Sequence, residues 1–175
     1  MGRSFRRQHG GACPPARGRG EKSTAQAEGL GRSRGGFSSK LHVRVEGAGK
    51  PMTFLLTPGQ QHDSTVAEDL MRQGAVRRGG RGRPRLRPKR VVGDKAYRSR
   101  RFRRFLSRRG IRYTLPRKRN ECQRGRFDKA IYRERNRVER FINRLKQFRR
   151  VATRYEKRAQ NYLAMVTLAA IVLWL

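Results

Sequence analysis

Acidic residues are scarce in this sequence. Its 175 residues include 12 Asp and Glu against 46 Lys and Arg, which gives a formal net charge of +34 at pH 7. A chain with so large an excess of positive charge requires a polyanionic partner, and DNA or RNA is the usual one. The shortage of acids therefore argues against an ordinary neutral or acidic metabolic enzyme. It indicates a class of partner rather than an activity, because ribosomal proteins share this composition.

Cysteine pairs and long apolar runs are absent as well. Cys13 and Cys122 stand far apart and neither belongs to a C-x-x-C pair, which argues against a zinc site or a disulfide framework. The N-terminus has no apolar segment, so no secretory signal is expected. The longest apolar run, residues 162–175, is interrupted by Thr167 and is shorter than the ~20 residues of a membrane span. We therefore expect a packed terminal helix and no membrane partner.

The chain changes in composition at about residue 36. Residues 1–36 are rich in Gly, Arg, Pro and Ser and lack apolar periodicity, so they predict a flexible basic arm. Residues 37–175 alternate between strand and helix patterns and predict one folded domain of the α/β class. The expected order is strand, strand, helix, strand, helix, strand, helix, followed by a terminal helix.

Apolar spacing predicts where these elements lie. Leu41, Val43 and Val45 alternate with polar residues, and a Gly-rich turn leads to a second apolar stretch at 52–56, which together predict a hairpin. The other expected elements are a helix from about Thr65 capped by Asp63 or Ser64, a strand at 90–94, a helix at 99–109 capped by Ser99, a strand at 111–115, and helices at about 130–150 and 160–175.

Four polar residues share one edge of the apolar stripe on the helix expected at 130–150. At roughly 100° per residue they fall within an arc of about 60°; they are Tyr132, Arg135, Glu139 and Lys146. An acid there lies at the margin of the core, flanked by two cations and a phenol. Taken alone, the arrangement is also typical of a solvated ion-pair row in which Arg135 and Lys146 compensate the charge of Glu139.

The spacing of these residues, Y-x2-R-x3-E-x6-K, resembles the signature of DDE transposases from bacterial insertion sequences, in the large grouping of insertion-sequence families four and five. Further stretches of the chain resemble segments of the same group, and they occur in the same order along the sequence. They are GRSRGG at 31–36, LTPGQ at 56–60 with Asp63 after it, GDKAY at 93–97, and the apolar end at 163–175. The resemblance covers about residues 30–175.

The resemblance implies a ribonuclease-H-like fold, a mixed sheet with flanking helices, in which three acids bind two Mg²⁺ ions. Asp94 matches the second acid and Glu139 the third, so both are expected to be catalytic residues and metal ligands. Two divalent ions can activate the attacking oxygen and stabilise the leaving one, and Mg²⁺ prefers carboxylate oxygens. Arg135 and Lys146 would grip DNA phosphates beside the scissile bond, and Tyr132 would contact the same backbone or stack.

The first acid of the family has no counterpart in this chain. The segment that matches its strand, residues 1–9, contains no Asp or Glu, and the first acid of any kind is Glu21. We therefore expect a truncated or poorly formed first strand and an N-terminally incomplete catalytic domain. Two explanations fit: a decayed gene fragment, or the downstream frame of a two-frame element that frameshifting joins to an upstream-frame transposase half.

A basic loop at 77–90 is another candidate DNA contact. Arg83 and Arg85 flank a proline, and arginines on such an extended backbone fit a narrow minor groove. The alternative is a flexible loop that touches phosphates only. The arginine-rich face of the helix at 99–109 is expected to bind phosphates as well.

The sequence thus predicts a transposase catalytic domain that binds element ends and target DNA. Its expected reaction is Mg²⁺-dependent phosphoryl transfer, by nicking at the element ends and then strand transfer, and the missing acid predicts that this chain alone is inactive. The alternative is a non-catalytic DNA-binding remnant of a transposase or another basic nucleic-acid-binding protein. By resemblance, two copies would act as a homodimer on paired ends, in the bacterial cytoplasm and associated with the nucleoid.

Overall fold

The structure is a computed structural model, and it leaves several basic stretches undescribed. Arg83, Arg85 and most of the basic loop at 77–90 therefore lie outside the described residues. Within the described part, no helix has the length and apolar character needed to span a membrane. The described residues are 4–8, 24, 27–33, 36–74, 87–117, 121 and 127–175, with the backbone alone described at 4–8 and 33.

A long strand, β3, is the centre of a four-stranded sheet. All three other strands of this sheet pair with β3, and β2 runs antiparallel to it with Gly31 opposite Ser38. The side chains of residues 41–45 in β3 are all buried, so both faces of this half of the strand are covered. The strands are β1 (Ser4–Gln8), β2 (Gly31–Ser33), β3 (Gly36–Val45) and β4 (Pro51–Pro58).

The hairpin predicted at 41–56 is confirmed by the pairing of β3 with β4. The Glu46 amide donates to the Lys50 carbonyl at 2.9 Å, and Gly49 adopts a positive φ of 88° that favours glycine. Residues 4–8 and 31–33, within the stretch predicted as a flexible basic arm, form β1 and β2 because β3 offers backbone partners to them. The domain boundary at residue 36 stays a prediction.

Strands β5 (Arg90–Val92) and β6 (Arg112–Thr114) form a separate parallel pair joined through helix α2 (Arg100–Arg108). Parallel neighbours need such a crossover, because a tight turn can only reverse the chain. Ser99 caps α2 as predicted, its Oγ accepting from the Phe102 amide at 3.2 Å. Gly110, with a φ of 59°, follows the last turn.

The apolar residues of this β-α-β unit form a core with the preceding helix, α1 (Ala67–Arg72). The prediction that Asp63 or Ser64 caps α1 was wrong. A single 3₁₀ turn at Asp63–Thr65 intervenes, and His62 caps that turn by accepting from the Ser64 amide. The buried members of the core are Ala67, Met71, Val91, Tyr97, Phe102, Leu106, Ile111 and Leu115.

The single helix predicted at 130–150 is divided into three. Helix α3 (Lys129–Arg133) is separated from α4 (Asn136–Leu145) by a turn at residues 134–135, and α5 (Arg149–Ala152) follows. Backbone bonds around the first break run between residues three apart, as from the Val138 amide to the Arg135 carbonyl at 3.0 Å. Such bonds wind the chain more tightly than an α-helix, so the assumption of 100° per residue fails across the turn.

Two units can be distinguished by their internal contacts. The first contains α1, the β5-α2-β6 unit, α3 and most of α4. The second contains α5 and the last helix, α6 (Ala159–Val172), where the sequence predicted a helix at about 160–175. In their described parts, the first unit is built from Ser4, His42–Leu55 and His62–Ile142, and the second from Phe5–Leu41, Leu56–Gln61 and Asn143–Leu175.

Arg154 is the buried centre of the second unit, with 2% of its surface exposed. Its guanidinium donates to the Glu28 carbonyl at 2.8 Å and to the Ser39 hydroxyl at 2.6 Å. It also donates to the carbonyls of Glu156 and Lys157, both at 2.9 Å. These bonds join the N-terminal part of the unit to the segment that leads into α6, and burial lowers the pKa of the arginine.

Replacing this guanidinium should destabilise the protein strongly. Arg154→Met keeps much of the side-chain volume but leaves several buried oxygens without their donor, so we expect the free energy of unfolding to fall by about 3 kcal/mol. Urea unfolding followed by circular dichroism measures this. Arg149→Met, at an exposed position of α5, is the control and should change it by less than about 0.5 kcal/mol. Equal effects would contradict the central role of Arg154.

Candidate active site

Asp94 stands directly after β5, where the chain leaves the parallel pair. Its Oδ1 accepts from the Lys95 amide at 2.6 Å and thereby caps a 3₁₀ turn at Lys95–Tyr97. This bond fixes the carboxylate relative to the backbone, while 29% of the side chain remains exposed. The predicted strand end thus carries an oriented acid that solvent or a ligand can reach.

Glu139 lies in the first turn of α4, where the helix dipole favours a negative charge. Its Oε1 is 2.7 Å from Nη2 of Arg135. The other terminal nitrogen of the same guanidinium, Nη1, is 3.8 Å from Oδ2 of Asp94. One arginine therefore contacts both acids that the sequence selected, although they lie on separate elements.

Arg135 itself occupies the turn between α3 and α4. The Tyr132 ring, on α3, lies with its centroid 5.2 Å from the guanidinium carbon. Phe127 packs against the tyrosine with 5.2 Å between ring centroids. An aromatic face at this distance attracts a cation, so Tyr132 and the two carboxylates position the guanidinium together.

The other predicted site residues are Lys146, Arg83 and Arg85. Lys146 is exposed one position beyond the end of α4. Arg83 and Arg85 fall outside the described residues. Among the residues that the structure describes, no three His, Cys, Asp or Glu side chains come together in a way that could hold a metal ion.

Tyr97 lies in the same unit and is fully buried. Its hydroxyl is 3.1 Å from Nδ1 of His42, which is also buried. Burial raises the pKa of Tyr97, and the negative charges of Asp63 and Asp94 raise it further. The phenol therefore stays protonated, and the 3₁₀ turn that follows Asp94 is anchored to β3 through this hydrogen bond.

Sequence reasoning missed His42 and Arg44 because their alternation with apolar residues indicated the solvent face of a strand. Both are buried. Arg44 donates through Nη1 to the carbonyls of Met71, Gln73 and Gly74 at 3.2, 2.7 and 3.3 Å, and so closes the C-terminal end of α1. The alternation of polar and apolar residues carried no signal that both faces of β3 would be covered.

The outer face of α2 presents a row of arginines at helical spacing. Arg101, Arg104 and Arg108 lie on the side away from Phe102 and Leu106. They line an open groove of about 450 Å³ together with Arg109, Phe105 and Glu68. The Arg109 guanidinium lies 4.5 Å from the centroid of the Phe105 ring, and Glu68 is 2.7 Å from Nε of Arg101. Four cations against one acid make this groove suitable for an anion.

Comparison with known proteins is consistent with this constellation. A family model described as Transposase DDE domain matches residues 12–175. A Brucella ovis protein named as the transposase for insertion sequence element IS6501 is 31% identical over 141 residues, covering 79% of this chain and 99% of that protein. The transposase for insertion sequence element IS402 of Burkholderia cepacia is 34% identical over 137 residues, and the match covers 78% of this chain but 63% of that protein. No solved structure matches the chain.

Tyr97→Phe should weaken the protein below about pH 10 and progressively less above it. Loss of the bond to His42 should cost about 1 kcal/mol at pH 7. The folded tyrosine has a raised pKa, so its stabilising contribution is complete below the unfolded value of about 10 and is lost as pH rises above it. The variant should therefore show a shallower loss of unfolding free energy from pH 9.5 to 11.5 in urea titrations. Tyr155→Phe, at an exposed position, should retain the wild-type slope; an unchanged slope in Tyr97→Phe would contradict this account.

Proposed function

The chain belongs to the DDE transposase family, and we propose on this basis that it carries two of the three acids of a phosphoryl-transfer site, Asp94 and Glu139. A single observation carries the proposal: both carboxylates, from positions 94 and 139, lie around one guanidinium. Membership in this family removes the ribosomal-type interpretation of the basic composition.

The fold fits a ribonuclease-H-like arrangement in two respects. The chain has a mixed α/β architecture that contains a hairpin and a parallel β5–β6 pair. Asp94 follows the carboxyl end of β5, and Glu139 is supplied by a helix that comes later in the chain. Acids at a strand end and on a helix that meet in space are what a carboxylate metal site requires.

The donor chemistry fits a divalent cation such as Mg²⁺. Asp94 and Glu139 offer hard oxygen donors, are both partly exposed, and already surround a cationic group. They would hold the metal, which when bound would activate an attacking oxygen and stabilise the leaving oxygen at phosphorus. Two carboxylates are fewer than a two-ion site needs, so the affinity for Mg²⁺ should be weak.

The cationic residues around the acids would bind DNA. Arg135 is placed to contact a phosphate next to the acids, Tyr132 to support it, and Lys146 to contact the backbone further along. The groove of α2 would bind phosphates of the same or a second duplex, because arginine recognises phosphate with paired hydrogen bonds. Arg83 and Arg85 keep their proposed role in the minor groove. DNA, both element ends and target, is thus the proposed partner.

A second function is favoured by one observation. Within the described residues no cluster of three metal-ligating side chains exists, so the chain could serve as a DNA-binding protein without catalysis. We propose accordingly that it binds DNA well and cleaves it poorly. An upstream transposase half or a second copy on paired ends would be the partner that completes the site.

DNA binding should depend steeply on salt. Each phosphate contact on duplex DNA contributes a slope of about −0.9 to log K against log salt. For a random 25-bp duplex, the double variant Arg104→Gln/Arg108→Gln should make the slope less negative by the contribution of roughly two phosphate contacts. Arg149→Gln, at the exposed position on α5, is the matched control, and it should change the slope by less than half as much as the double variant does. Fluorescence anisotropy between 50 and 400 mM salt measures the slopes, and a flat response of the wild type would contradict DNA binding by phosphate neutralisation.

Nicking should be slow and should depend on both acids. We expect weak Mg²⁺-dependent nicking of a supercoiled plasmid carrying an element end, reduced at least about a hundredfold by Asp94→Asn or Glu139→Gln, because losing a ligand lowers both metal affinity and activity. DNA affinity should change by no more than a few-fold in either variant.

Two results would count against this assignment. Equal nicking by the wild type and by both variants would show that other groups act. Rapid nicking by the wild type, abolished in Asp94→Asn, would contradict the expectation that this chain alone is a poor enzyme and would favour catalysis over binding alone.

A further inference from the structure

Arg135 fills the space between Asp94 and Glu139 that a divalent cation would need. Its Nη2 is 2.7 Å from Glu139 Oε1, and its Nη1 is 3.8 Å from Asp94 Oδ2. A guanidinium and a divalent cation repel each other strongly at such separations. The arginine and the metal therefore compete for the same two carboxylates.

The two ends of this guanidinium are held unequally. The distance to Glu139 is that of a close ion pair, whereas the distance to Asp94 exceeds hydrogen-bond length. Nη1 is buried, and among the described residues it has no hydrogen-bond acceptor. Because a buried donor without an acceptor is unfavourable, this nitrogen would be stabilised by an additional anionic oxygen.

A DNA phosphate provides that oxygen. Arginine binds phosphate with two parallel hydrogen bonds, which would satisfy Nη1 together with its neighbour. The side chains of Arg135, Asp94 and Glu139 are 19%, 29% and 27% exposed, so the group is partly open to solvent, and the buried Nη1 must turn outward to meet a phosphate. The centroid of the Tyr132 ring lies 5.2 Å from the guanidinium carbon.

We propose that Arg135 couples the binding of DNA phosphate to the binding of a divalent cation at this site. In the absence of DNA it neutralises Asp94 and Glu139 and weakens cation binding; a phosphate that binds the guanidinium releases the carboxylates to the cation. The inference rests on the proposed function, because it requires both acids to be cation ligands. Coupling is reciprocal, so the cation must strengthen DNA binding by the same factor.

The test measures Mn²⁺ binding to the full chain, from the electron paramagnetic resonance signal of free Mn²⁺, with and without a short duplex. Without DNA, Arg135→Gln should bind Mn²⁺ roughly five- to tenfold more tightly than the wild type, because a repelling charge is removed. DNA should tighten Mn²⁺ binding several-fold in the wild type and much less in Arg135→Gln. The Asp94→Asn/Glu139→Gln double variant, measured with the same duplex, gives the Mn²⁺ that the duplex itself binds, and this amount is subtracted.

Two further variants separate charge from shape. Arg133→Gln removes the same charge from an exposed position two residues away and should leave Mn²⁺ affinity within about twofold of the wild type. Arg135→Lys keeps the charge and should bind Mn²⁺ as weakly as the wild type. If Arg135→Gln gains no affinity, or if the lysine variant gains as much as the glutamine variant, the proposed competition is wrong.

The same data distinguish this inference from the proposed function. Equal Mn²⁺ binding by the wild type and the double acid variant would show that Asp94 and Glu139 hold no cation, which overturns the site itself. Acid-dependent Mn²⁺ binding that Arg135→Gln leaves unchanged would overturn the coupling alone.

Discussion

Buried arginines in this protein are held mainly by backbone carbonyl oxygens, and the rest of the architecture depends on that arrangement. A chain with 12 acids and 46 basic residues has too few carboxylates to pair with its arginines. Arg44 is satisfied by three carbonyls at the end of α1, and Arg154 by three carbonyls and a hydroxyl. Burying a charge is costly unless its hydrogen bonds are made, so these arginines fix the loops whose carbonyls they bind. Because backbone carbonyls bind these two arginines, the few carboxylates can pair elsewhere, and two of them, Asp94 and Glu139, contact Arg135.

The break between α3 and α4 determines what this third arginine can contact. In one uninterrupted helix, residues 132, 135 and 139 would follow a single face with fixed spacing. The turn instead places Arg135 at a junction, with Tyr132 at the end of one helix and Glu139 in the first turn of the next. A guanidinium in that position reaches Asp94 after β5 as well as Glu139. The local departure from helical geometry thus serves the assembly of the site.

The sequence predicted the elements that local rules govern and failed where tertiary packing decides. The hairpin, Ser99 as the cap of α2, and the parallel strands follow from alternation, capping and apolar runs. The caps of α1 and the length of the 130–150 helix were wrong, because His62 and the turn at 134–135 depend on packing that periodicity does not report. The acids Asp94 and Glu139 were found through resemblance. Their shared arginine contact and the buried His42–Tyr97 pair needed coordinates, since nothing in residue spacing relates positions 42 and 97.

The construction of the second unit from both ends of the chain has a consequence for biosynthesis. The Glu28 carboxylate accepts from the Ala159 amide, and the Glu28 carbonyl accepts from Arg154, contacts that span 131 and 126 positions. On the ribosome, the segment around Glu28 must therefore wait until Ala159 has emerged before it finds these partners. The first unit, whose described residues apart from Ser4 fall between positions 42 and 142, can fold earlier. Contacts of such long range also slow refolding, and during the delay the exposed basic chain is free to associate with nucleic acid nearby.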